Sequence, residues 1–85
     1  MNILFSRQGW EDYAHWQQTD MKLARKINEL LKGISRNPHS GIGKPEPLRH
    51  ALGGYWSRRT TDEHRLVYKV DGPTIKIAQA RYYYE

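Results

Sequence analysis

Cysteine is absent from these 85 residues, which removes disulfide staples, thiolate metal sites and cysteine nucleophiles together. Burial alone must stabilise the chain, and that suits a reducing compartment. Long apolar runs are missing too. No stretch approaches the roughly 20 apolar residues of a membrane span, and the opening MNILFSRQGW has neither the basic leader nor the apolar length of a signal peptide. A soluble, cytoplasmic protein is expected. Histidine is sparse: His15, His39, His50 and His64 include no pair at metal-ligand spacing, and His15 has Thr19 one helical turn on. The P-loop, G-x-S-x-G and Rossmann glycine patterns do not occur. Neither a metal nor a cofactor is expected.

What is present is a modest core and an excess of cations. A hydrophobic share of 38% over 85 residues suffices for one core, so a single domain is expected over 1–85. Fourteen Lys and Arg against nine Asp and Glu leave a net charge of +5, which favours an anionic partner such as nucleic acid. The local arrangement says more. Lys44, Arg49, Arg58, Arg59 and Arg65 are interleaved with Tyr55, Trp56 and His64. Such a surface can hold phosphates electrostatically and stack unpaired bases, as single-stranded RNA requires. A solvated strand face over a buried Trp56 is the plainer alternative.

The elements follow from caps and periodicity. NILF reads as a short strand ending at Ser6, whose hydroxyl can cap a helix. Residues 7–18 place Trp10, Tyr13, Ala14 and Gln17 along one helical face, with Trp16 beside it. Asp20 then opens a second helix in which Leu23, Ile27, Leu30, Leu31 and Ile34 recur every three or four residues, and Pro38 forces it to end by Asn37. The breakers from 37 to 54 predict a long ordered loop, a feature that in a small domain is often functional. YWSRR (55–59), RLVYKV (65–70) and TIKIAQARY (74–82) read as antiparallel strands joined by short turns. In RLVYKV the alternation turns Leu66, Tyr68 and Val70 to the helices and displays Arg65 on the open face. The predicted fold is α+β: an N-terminal strand, a two-helix hairpin and an antiparallel sheet completed by three C-terminal strands.

One carboxylate stands out. Pro45 and Pro47 bracket Glu46 and restrict its backbone, while Lys44 and Arg49 favour the ionised form that accepts a proton. A surface salt bridge in a stiff turn is the alternative use. RNA carries its own nucleophile, the 2′-hydroxyl, so cleavage needs a base, a cation for the phosphate and an acid for the departing 5′-oxygen. Arg65 suits the cation's role because a guanidinium can grip two phosphate oxygens, and Arg59 can assist. A strand arginine paired with Asp62 or Glu63 is the competing reading. Tyr83 and Tyr84 offer phenols for the acid or for stacking, against aromatic edge packing.

GKPEPL, WSRR, DEHRLVY and the closing RYYY, together with Trp10, Asp12, Tyr13 and KINELL, resemble the YoeB family of bacterial toxins in the RelE superfamily over nearly the whole chain. The resemblance implies a RelE-like fold and a metal-independent mRNA interferase that cuts translated mRNA in the ribosomal A site and is neutralised by a YefM-type antitoxin. It also leaves room for a homodimer. The family's proposed general base falls on Glu46 and its phosphate-stabilising arginine on Arg65, while Arg49 and Arg59 fall on residues tied to substrate binding or catalysis. Its terminal tyrosine falls on Tyr84. One position departs from the pattern: the family's proposed acid is a histidine, and here it is Tyr83, followed by an extra Glu85. A non-enzymatic interaction toxin on the same scaffold, such as a gyrase poison, is the alternative function, as is an RNA-binding variant with weakened catalysis.

Overall fold

A computed structural model describes residues 1–83, in which the elements are β1 (Asn2–Phe5), α1 (Arg7–Thr19), α2 (Met21–Arg36), β2 (Glu46–Pro47), β3 (Trp56–Arg59), β4 (Arg65–Asp71) and β5 (Thr74–Gln79). The strands form one sheet in the order β1-β5-β4-β3-β2. Pairings from β2 to β5 are antiparallel, and β1 joins β5 in parallel, so the sheet of this α+β fold is mixed. No helix among the described residues is long and apolar enough to cross a membrane.

Local chemistry places both helices where their caps predict. The Ser6 hydroxyl accepts the Gly9 N–H at 3.0 Å and donates to the Ala78 carbonyl at 2.9 Å, so one side chain caps α1 and ties it to β5. Asp20 ends α1 and starts α2, accepting from the Lys22 and Leu23 N–H groups. The α2 stripe of Ala24, Ile27, Leu30, Leu31 and Ile34 is buried against Leu66, Tyr68, Ile75 and Ile77 of the sheet.

The buried face of α1 differs from the predicted aromatic one. Gly9, Asp12 and Trp16 are buried, whereas Trp10 is 56% exposed and packs with Phe5 and Tyr13 at the margin. Hydrogen bonding and close approach set this rotation. A Cβ on Gly9 would lie 2.7 Å from the Ile77 carbonyl oxygen, so only glycine lets the helix come this near to β5. Asp12 Oδ2 accepts the Ala80 N–H at 3.0 Å, and Trp16 Nε1 donates to the Ala80 carbonyl at 2.8 Å. Both backbone groups of one buried residue are thereby paired.

The 37–54 segment is not wholly irregular. It contains β2 and a 3₁₀ turn at His50–Leu52. Pro47 lies within a strand because β2 is the sheet's outer strand, where a missing N–H breaks no ladder. The predicted third C-terminal strand is shorter than expected, ending at Gln79 instead of 82. Its continuation is held by side chains.

Arg58 is fully buried. Its Nε donates to the Tyr68 hydroxyl (3.1 Å), its NH1 to the Ile42 carbonyl (3.2 Å), and its NH2 to the carbonyls of Asn37 (2.7 Å) and Ser40 (2.9 Å). Tyr68 in turn donates to the Pro38 carbonyl at 2.6 Å. A buried guanidinium is tolerated only when its donors are paired, and here the loop after α2 supplies the acceptors. Burial raises the Tyr68 phenol above its ordinary value of 10.0, against the lowering influence of Arg58.

Arg58→Leu, which strands these acceptors, should lower stability by about 3 kcal/mol or more in urea denaturation. An unchanged midpoint would show that the loop holds without it. The raised Tyr68 value carries a sign: its contribution is complete below about pH 10 and is lost as pH rises through the higher folded value. Tyr68→Phe should therefore remove part of the alkaline loss of stability seen in the parent.

Candidate functional site

Strand register brings the candidate residues to one face. Glu46 lies opposite Ser57, Ser57 opposite Val67, and Arg59 opposite Arg65. Directly opposed residues point to the same side of a sheet, as do residues two apart. Glu46, Arg59 and Arg65 therefore share the face turned away from the helices. Glu46 is two strands and two residues from Arg65, roughly 12 Å between Cα positions from ideal sheet spacings. Ser57 and Val67, on the same face, are both buried, so the floor between the charged groups is closed.

The loop delivers Glu46 through a left-handed turn. Gly43 (φ 83°) and Lys44 (φ 50°) both adopt positive φ, and the Gly43 carbonyl accepts the Arg59 N–H at 2.7 Å. Positive φ is costly for a side chain such as lysine. The bond to β3 holds the turn, and the chain then runs antiparallel to β3 as β2. Lys44, Glu46 and Arg49 are all exposed.

Arg65 is 5% exposed and so is buried, contrary to its predicted display on the open face. Nor does it pair with the Asp62 or Glu63 carboxylates. Its NH1 donates to the carbonyls of Thr61 (2.8 Å), Asp62 (3.0 Å) and His64 (3.1 Å). The turn is shaped for this by the Thr61 hydroxyl, which accepts the N–H groups of Glu63 and His64 at 3.1 Å each. One nitrogen of the fork is thus consumed by the turn, while NH2 and Nε have no protein acceptor among the described residues. The Tyr83 ring lies over this guanidinium, 4.6 Å from Cζ. Such a cation–π contact also restrains the phenol.

Tyr83 is itself 55% exposed. Tyr84 lies outside the described residues. The predicted aromatic platform is only partly assembled: Trp56 is on the helix side of the sheet and is stacked by His39 at 4.5 Å, so that ring is already covered. Arg58, which the charge pattern groups with the surface cations, belongs to the core. Alternation in WSRR carries the signal, since Trp56 and Arg58 must share one face and Ser57 and Arg59 the other. Asp12, marked in the sequence only as part of the family resemblance and given no role there, holds the segment leading to Tyr83.

The arrangement combines an exposed carboxylate, a buried and anchored guanidinium, a second arginine that is exposed, and a phenol on one side of a sheet. No group of three or more His, Asp or Glu among the described residues is placed to hold a metal ion.

Comparison with known proteins agrees over the full length. Residues 5–84 match the family described as the YoeB-like toxin of bacterial type II toxin-antitoxin systems. Toxin YoeB of Streptomyces coelicolor is 54% identical over 84 residues, covering 99% of this chain and 100% of that protein. A YoeB/ParE toxin from Agrobacterium tumefaciens superposes with a TM-score of 0.96 at 44% identity, covering 99% of this chain and 100% of the other. In a heterotetrameric YoeB-YefM complex from Staphylococcus aureus, the matching chain is 58% identical with a TM-score of 0.92, at 99% and 98% coverage.

The two strand arginines should separate in a stability measurement. Arg65→Gln removes three bonds to the 61–64 turn and should cost about 1–3 kcal/mol, whereas Arg59→Gln, exposed on the same face, should stay within about 0.5 kcal/mol of the parent. Equal losses in urea denaturation would contradict the anchored role of Arg65.

Proposed function

This chain belongs to the YoeB-like toxins of bacterial type II toxin-antitoxin systems, and we propose that it is an endoribonuclease that cleaves mRNA in the ribosomal A site and so inhibits translation. The observation that carries this reading is the register that brings Glu46, Arg59 and Arg65 to one sheet face, with Tyr83 over Arg65. In the proposed reaction Glu46 takes the proton of a 2′-hydroxyl. That oxygen attacks the adjacent phosphorus, and the bond to the 5′-oxygen breaks. Arg65 meets the charge gathering on the phosphoryl oxygens with NH2 and Nε, already oriented because NH1 is held. Tyr83, or Tyr84 beside it, returns a proton to the leaving 5′-oxygen. The products are a 2′,3′-cyclic phosphate and a 5′-hydroxyl, with the proton removed by the base balanced by the one supplied. Nucleophile and electrophile both belong to the substrate, so no step is assigned to a metal or cofactor.

Lys44, Arg49 and Arg59 are proposed to hold the flanking phosphates, as exposed cations around the site can. A YefM-type antitoxin is the proposed partner, by analogy with the Staphylococcus aureus complex, and would silence the toxin by covering these arginines. A homodimer is proposed on the likeness to a YoeB dimer from the same organism.

Glu46→Gln should lower mRNA cleavage on programmed ribosomes by about a hundredfold or more, the scale of a lost acid-base group, and near-parent cleavage would remove Glu46 from the mechanism. Tyr83 is tested by two substitutions in single-turnover reactions. Tyr83→Phe should lose most cleavage while keeping the ring over Arg65, and Tyr83→His should match or exceed the parent near neutral pH. If Tyr83→Phe cuts like the parent and Tyr84→Phe does not, the acid is Tyr84. Parent protein that makes no new mRNA ends would favour the non-enzymatic interaction toxin instead.

A further inference from the structure

The segment that carries Tyr83 leaves β5 at Gln79 and has no strand partner, yet it is held at alternate residues. Ala80 is gripped on both sides by α1, through Asp12 and Trp16. Tyr82 is gripped on both sides by the start of β4. Its N–H donates to Nδ1 of His64 at 2.8 Å, and its carbonyl accepts the Arg65 N–H at 3.0 Å. The His64 imidazole thus stands where a backbone carbonyl would stand in a ladder. A backbone N–H can only donate, so Nδ1 must present its lone pair and the ring proton sits on Nε2.

Tyr82 has φ 63°, a left-handed conformation that a tyrosine adopts only when its surroundings impose it. The next residue, Tyr83, has its ring over Arg65. The imidazole is itself fixed edge-on against Trp16, at 4.8 Å between ring centroids. His64 is therefore braced by α1 on one side and grips the tail on the other.

We infer that His64 is a positioning residue, whose Nδ1 holds the Tyr82 turn and thereby sets the Tyr83 phenol against Arg65. It touches no reacting atom. This role rests on the proposed RNA cleavage only for its effect on rate. The geometric part stands apart from it.

Two substitutions separate the acceptor from the ring. His64→Phe keeps an aromatic ring against Trp16 and removes the acceptor, while His64→Asn keeps an acceptor oxygen near the position of Nδ1 and removes the ring. If the acceptor positions the tail, His64→Phe should lower the single-turnover cleavage rate by about tenfold to a hundredfold, the penalty of small misplacement. Ribosome affinity should be unchanged, and His64→Asn should recover most of the rate. A packing role predicts the reverse order of the two variants, and that order would overturn the inference. Amide hydrogen exchange of the free protein supplies the second reading. Protection of the Tyr82 N–H should fall by about tenfold or more in His64→Phe and be largely restored in His64→Asn. Unchanged protection in His64→Phe would overturn the inference whether or not the chain cleaves RNA. The expected exchange pattern in a parent that makes no cuts would support the positioning geometry while refuting the nuclease reading.

Discussion

Arg58 is a cation sealed in the core with no carboxylate paired to it among the described residues, and its need for acceptors shapes the half of the molecule that carries Glu46. Four protein oxygens meet its donors, three of them carbonyls at 37, 40 and 42. The chain leaving α2 must therefore wrap the guanidinium instead of running into solvent. Asn37 ends the helix, and its carbonyl sits where the helix dipole is negative. Gly43 lets the wrap close, because a Cβ there would meet Leu30 at 2.7 Å and Arg58 at 3.0 Å. The same loop then bonds β3 through the Gly43 carbonyl and becomes β2. A buried charge on the helix side of β3 thus determines where a carboxylate emerges on the other side.

Three arginines within eight residues have three different fates, and the differences are physical. Arg58 spends its whole fork on the protein. Arg59, one residue on, points the other way and is exposed. Arg65 is intermediate: one nitrogen is bound to three carbonyls of its own turn, and the Tyr83 ring lies over the guanidinium. A guanidinium held in this way has little freedom left to lose, which is what the proposed anion site requires. The Tyr83 ring over it restrains the acid candidate and the cation together.

Residues 80–83 lack a ladder and are held by substitutes for one. Asp12 accepts at residue 80 and His64 at residue 82, each in place of a backbone carbonyl. Between them, Arg81 lies near the Trp16 ring and over the Tyr82 ring. Side-chain clamps permit what a strand would forbid, namely a left-handed backbone at Tyr82. Tyr83 follows directly on this held segment, with its ring over Arg65.

Interactions spanning a few residues were legible in the sequence. Ser6 and Asp20 cap the helices that follow them, Pro38 ends the second, and prolines on both sides of Glu46 mark the carboxylate. Alternation likewise places Leu66 and Tyr68 in the core, since a strand's two faces follow from its own residues. Resemblance of motifs located the candidate site residues, but not their surroundings. The rotation of α1 depends on bonds from Asp12 and Trp16 to Ala80, 68 and 64 residues away. Burial of Arg58 depends on a loop 16 to 21 residues earlier, and Arg65, although bonded to its own turn one to four residues back, meets a ring from 18 residues on. Local propensity cannot reach across such separations. Which arginine is core, which is surface and which is half anchored was decided by whichever acceptors the folded chain brought within bonding distance.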